Sequence, residues 1–96
     1  MIGRYVGYKN KGGIIVGTNI NNQPHLVQVL FKDQTKLVIN KNNLVVRREY
    51  CEIVNFGDTY YLVSPKKTII SLDTKRIMMW SDEHRERHEI LELAGM

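Results

Sequence analysis

His84 and His88 stand four residues apart near the C-terminal end. On a helix that spacing brings both imidazoles to one face, where they could chelate a divalent metal. The helical two-histidine zinc hydrolases carry glutamate directly after the first histidine, and Arg85 stands there instead. His25 is the only other histidine. The simpler account is a solvated helix face on which Glu83–Arg87 and Arg85–Glu89 form i, i+4 pairs worth about 0.2–0.5 kcal/mol each. Neither a metal nor any other cofactor is expected. Cys51 is the single cysteine. It falls in an expected strand with nothing nearby to stabilise a thiolate, so it reads as a small buried thiol rather than a nucleophile. One cysteine also excludes an internal disulfide framework and fits a reducing compartment, so a cytoplasmic protein is expected. Ser64, Ser71 and Ser81 lack the strand-to-helix elbow of a nucleophilic serine. Gly12-Gly13 lacks the lysine and the following helix of a phosphate-binding loop. These patterns point away from catalysis.

The basic residues with aromatic neighbours are more suggestive. Arg4, Tyr5, Tyr8, Lys9 and Lys11 cluster near the start, Lys32, Lys36 and Lys41 punctuate the next segments, and Arg47 and Arg48 follow. Lysine and arginine neutralise phosphates, and tyrosine rings stack on exposed bases. Residues 1–48 hold eight basic side chains against Asp33 alone, a net +7; residues 49–96 carry a net −3, and the chain +4. Such asymmetry suits a basic face for nucleic acid or an acidic protein surface. The competing account makes Tyr5 and Tyr8 half-buried packing residues and the lysines guards against edge-to-edge aggregation.

The elements that must position these groups follow from length and pattern. With 96 residues, 43% apolar and 25% charged, the chain is expected to form a single domain with one core. Alternation and β-branched runs predict strands over Arg4–Lys9, Ile14–Thr18, Leu26–Lys32, Lys36–Asn40 and Leu44–Arg47. Turns are expected at Asn10–Gly13 and Asp33-Gln34, a polar loop tip at Asn19–Pro24, and a 3₁₀-like turn at Lys41–Asn43. A β-meander follows through Tyr50–Phe56, Thr59–Val63, Thr68–Leu72 and Ile77–Trp80, with Pro65 at the second position of its turn. Ser81 then reads as the N-cap of the only helix, which should run to about Ala94 with Gly95 as terminator. Its apolar residues are Ile90, Leu91 and Ala94, with Leu93 beside them, so only its rear two turns can dock. The stretch Gly12–Leu30, free of acids and of Lys and Arg, is too polar to span a membrane.

The run Ile77-Met78-Met79-Trp80 cannot place every side chain on one face of a sheet. Either the helix or a second subunit must cover the remainder, so Met78, Met79 and Trp80 are the candidate interface of a homo-oligomer. Lys, Asn and Ile are frequent and Ala94 is the only alanine, a usage associated with AT-rich genomes such as those of many phages and low-GC bacteria.

The first half resembles the SH3-like small barrels, in particular Tudor-like and KOW-like modules. The resemblance rests on Val6, the run Gly12-Gly13-Ile14-Ile15-Val16-Gly17, the strand Val27-Gln28-Val29-Leu30-Phe31-Lys32-Asp33, Leu37-Val38-Ile39, and Asn43-Leu44-Val45-Val46. Gly12-Gly13 replaces the more widely spaced glycines of the KOW motif. The resemblance implies an SH3-like barrel over residues 1–48 that binds nucleic acid or protein through its loops, with residues 49–96 forming the meander and helix of a mainly β protein. Tudor-like modules read methylated side chains with an aromatic cage; Tyr5, Tyr8 and Phe31 are the aromatics available, and Phe31 is better explained by core packing. The second half resembles no named family. The reading is therefore a non-catalytic binding module, of a phage or bacterial accessory kind. The alternative is a homo-oligomeric adaptor or an inhibitor acting through protein contacts.

Overall fold

The computed structural model of the chain describes residues 1–79 and 84–96. Trp80, one of the expected interface residues, and Ser81, the expected N-cap, lie outside the described residues. The protein is mainly β, with two antiparallel sheets and a C-terminal helix. It divides into two compact units, Met1–Tyr50 and Cys51–Met96.

The first unit is a five-stranded sheet of β1 (Arg4–Tyr8), β2 (Lys11–Ile20), β3 (Gln23–Phe31), β4 (Lys36–Asn40) and β5 (Val45–Tyr50). Their order across the sheet is β4-β3-β2-β1-β5. Three consecutive hairpins build β1 to β4, and β5 returns to pair with the free side of β1. A 3₁₀ turn over Lys41–Asn43 makes that return, capped by Asn40, whose side-chain oxygen accepts from the Asn42 amide at 2.9 Å. Val6, Ile15, Val27, Val29, Phe31 and Ile39 form the buried cluster on one face, with Tyr8 and Leu44 packed against it. Their spacing is the period-2 alternation of a half-buried sheet.

Two turns differ from expectation. The β1–β2 turn is the pair Lys9-Asn10 alone, at φ 47° and 66°, and Gly12 and Gly13 lie within β2. Positive φ at both central residues is the geometry whose twist matches the flanking strands. Gly13 is required for packing rather than turning: a Cβ there would come 2.5 Å from Val29 Cγ1. Likewise, residues 19–24 are not an open loop tip. Strands β2 and β3 run to Ile20 and from Gln23, joined by Asn21-Asn22 at φ 52° and 62°. Asparagine tolerates this left-handed region better than other side chains do. The fifth strand also runs three residues beyond Arg47, to Tyr50, and the next begins only at Glu52.

The second unit pairs β6 (Glu52–Phe56), β7 (Thr59–Val63), β8 (Ile69–Ser71) and β9 (Arg76–Ile77) as a plain meander. Pro65 occupies the second position of the β7–β8 turn, which Lys67 leaves at φ 67°. Helix α1 (His84–Leu93) packs on β6 and β7. Ile90 is fully buried with Val54, Val63 and Ile69, while Leu91, Ala94 and Met78 pack around them. Leu93 points to solvent. Gly95, at φ 81°, ends the helix: its amide donates to Glu92 O and that of Met96 to Leu91 O, which satisfies two of the last carbonyls. Among the described residues, no helix is long and apolar enough to cross a membrane.

Candidate functional site

The strongest concentration of binding chemistry lies at the β1–β2 turn of the first unit. The tight turn aims Lys9 and Lys11 outward on either side of it. Tyr8 pairs across the hairpin with Lys11. Lys9 Nζ stands 5.3 Å from the centroid of the Tyr8 ring, and Lys11 Nζ stands 5.8 Å from that of Phe31. Both lysines are exposed, so their stems lie along half-buried or buried rings while the ammonium groups remain in water. A shallow cleft of about 280 Å³ is lined by Lys11, Gly12, Phe31, Lys32 and Asp33. Phe31 itself belongs to the core, so its ring is not a stacking surface.

Asp33 is the carboxylate beside this cleft. It accepts hydrogen bonds from the hydroxyl and the amide of Thr35 and so closes the β3–β4 turn. Those two bonds hold its carboxyl below the usual 3.8, with the Lys11 charge adding to them. Asp33 is thus committed to the turn and stays ionised at neutral pH.

A second basic group sits on β5. Arg4 Nη1 donates to Arg48 O at 3.1 Å and to Arg47 O at 3.4 Å, and its guanidinium lies 5.9 Å from the Tyr50 ring centroid. It spans the register shift between β1 and β5, where regular ladder bonds are interrupted. Arg47 reaches across β1: a Cβ on Gly7 would meet its Nη2 at 3.3 Å. Arg48 is exposed on the same strand. Lys36 and Lys41 are exposed on β4 and the 3₁₀ turn. Thus Lys11 and Lys32 share one cleft with Lys9 in the adjoining turn, Arg47 lies over Gly7, and Arg4 is engaged within the sheet. The sequence carried no signal that Gly7 and Gly12 face each other across the hairpin.

The remaining candidates have structural surroundings. Cys51 is buried, and burial pushes its thiol up to about 11 from the usual 9.0. Ser64 is fully buried; its Oγ accepts from the Thr68 amide at 2.9 Å. Ser71 Oγ accepts from the Thr74 amide at 3.4 Å. Both hydroxyls therefore shape turns. His88 lines a shallow hollow on the helix with Arg85, Glu89 and Glu92, and Arg85 pairs with Glu89 at 3.7 Å. No group of three metal-ligating side chains exists among the described residues. Met78 is half-buried against the second core and Met79 is 55% exposed.

Comparison with known proteins finds no family profile, no curated protein and no solved structure that matches this chain.

Proposed function

We propose that the protein is a non-catalytic module whose first unit binds nucleic acid through the cations gathered at the β1–β2 turn. The observation that carries this reading is the placement of Lys11 and Lys32 around one cleft next to the Lys9-Asn10 turn, with the cleft's carboxylate, Asp33, tied into its own turn. Phosphate oxygens reward clustered cations, because each neutralised phosphate releases condensed counterions. A relation to the SH3-like barrels is part of the proposal. The β4-β3-β2-β1-β5 order and the 3₁₀ turn between β4 and β5 support it. An acidic protein surface would be drawn by the same charges, but gains nothing from the bare glycine backbone beside them. A cytoplasmic setting, where a free thiol such as Cys51 persists, belongs to the same reading. So does a phage or bacterial accessory role, which rests on residue usage alone.

The test is binding of labelled single-stranded and duplex DNA and RNA across a salt series. Affinity should fall with a log–log slope of about −0.9 per phosphate neutralised on duplex DNA and about −0.7 on single strands. Lys9→Glu with Lys11→Glu should abolish most of the binding while leaving the melting temperature nearly unchanged, since both side chains are exposed. Failure to retain any nucleic acid at about 50 mM salt, where electrostatic binding is still strong, rejects the reading.

A second reading, self-association, is favoured by the exposure of Met79 and of the edge-strand residues Val45, Val46 and Tyr50. Aromatic residues and methionine are enriched in interface cores. A solution mass of 11.2 kDa at all accessible concentrations rejects it.

A further inference from the structure

Gly7 and Gly12 are directly paired across the β1–β2 hairpin. Cross-strand partners point to the same face, so this rung contributes no side chain of its own, with Gly7 buried and Gly12 exposed. On one flank Gly7 pairs with Val45, and the Arg47 guanidinium lies over Gly7 itself. On the other flank, Lys32 lies in the β3–β4 turn just past the Gly13–Phe31 pair, and it lines one cleft together with Gly12. A Cβ built on Gly12 would meet nothing within 4 Å. The result is a trough whose open floor is the Gly12 backbone, with the Arg47 guanidinium over the buried Gly7 at one wall and Lys32 at the other. From β5 to the line of β3 is three strand spacings, or about 14 Å.

We propose that this trough seats the phosphodiester backbone of a single nucleic-acid strand, held between Arg47 and Lys32 and lying against Gly12. The inference rests on the nucleic-acid reading above and gives it a site. Glycine permits a ligand backbone to approach the main chain more closely than any other residue does. The Arg47 fork suits two phosphate oxygens at once, while Lys32 contributes a movable point charge. The floor offers no pocket for the side chains of an acidic peptide, whereas a phosphodiester needs only the cations and the space. Tyr5, two residues before Gly7, shares this face and is half-buried, placing an aromatic ring at the end of the trough. Ring faces are the base-stacking platforms of proteins that bind single strands without sequence preference.

Gly12→Val tests the trough without touching a charge. The site is extended and open, and valine is favoured in strands, so the variant should fold with an unchanged or raised melting temperature. Its binding to labelled single-stranded DNA should fall about tenfold or more, as expected when phosphates can no longer reach their cations. Arg47→Gln with Lys32→Gln leaves the floor intact and should weaken binding and flatten the salt dependence, by about 0.7 in slope for each phosphate left without its cation. Lys66→Gln, a single charge change on the β7–β8 turn of the second unit, should leave affinity within about twofold, because it removes neither a wall nor the floor of the trough. If the wild-type protein binds and Gly12→Val binds equally well, the trough is overturned while the basic turn stands as the binding surface. If Gly12→Val fails to fold, the Arg47/Lys32 double variant decides: full affinity overturns the trough. If the wild-type protein binds no nucleic acid, both the trough and the reading beneath it fall.

Discussion

Two adjacent glycines of β2 do opposite work. A Cβ on Gly12 would enter open space, whereas one on Gly13 would run into Val29 Cγ1 at 2.5 Å and Leu30 O at 3.0 Å. The second of those atoms is backbone, which cannot rotate aside. Gly13→Ala should therefore destabilise the protein by about 1–3 kcal/mol, the usual cost of overpacking, and chemical denaturation should register it as a lowered midpoint. Cys51 supplies a second residue-scale test. Because burial raises its thiol from 9.0 to about 11, the native state keeps its proton where the unfolded chain has lost it. Below pH 9 the group contributes no pH dependence. Stability should decline as pH rises from 9 to 11, and the slope should vanish in Cys51→Ala. At pH 8 a maleimide should modify the native protein far more slowly than the unfolded chain. The residue types at these positions were legible beforehand, but their partners were not. Arg4 read as one more surface cation, yet its guanidinium is spent on the carbonyls of Arg47 and Arg48, forty-odd residues along the chain.

At the scale of elements, the helix stop is local chemistry. Gly95 holds φ 81° and aligns two amides with the last turn's carbonyls. Gly95→Ala should cost about 1–2 kcal/mol, the penalty of a side chain in the left-handed region, and should appear as a reduced melting temperature. This cap and the docking of Ile90, Leu91 and Ala94 could be read from residue order, since a short apolar stripe followed by glycine has few other uses. The strands were equally legible, because alternation in Val27–Phe31 and β-branching in Ile14–Val16 admit little else. The hairpin turns were not. Glycine normally marks the turn, so Gly12-Gly13 drew the β1–β2 turn towards themselves. In fact Lys9-Asn10 accepts the positive φ values, and the glycines serve packing and open space. Asn21-Asn22-Gln23-Pro24 read as a loop because it is polar, but Asn21 and Asn22 alone make the turn and Pro24 lies in β3. Polarity reports exposure, and exposure does not distinguish a tight hairpin from a loop.

For the whole molecule, the charge asymmetry is carried by separate compact units. The eight early cations lie in Met1–Tyr50, and the acidic excess lies in Cys51–Met96. A ligand of phosphate character should accordingly perturb the amide resonances of the first unit. Shifts confined instead to the second unit would place binding away from the β1–β2 turn. The candidate site was only half legible at this scale: the gathering of cations follows from their numbers, whereas the trough depends on register, which composition does not encode.

The position of β1 also sets an order of events. Its partner β2 follows after two residues, but its other partner, β5, pairs Gly7 with Val45 and Arg4 with Tyr50. Closing that long interval costs chain entropy that the hairpins avoid, so β5 should dock after the β1–β4 meander has formed. Ile15→Val, in the meander core, should mainly slow folding, whereas Leu44→Ala, at the entry to β5, should mainly hasten unfolding; stopped-flow chevrons separate the two. Until β5 arrives, one side of β1 is an open strand edge. During synthesis this edge waits for nearly the whole first unit to emerge, and that interval is when a neighbouring nascent chain can pair with it.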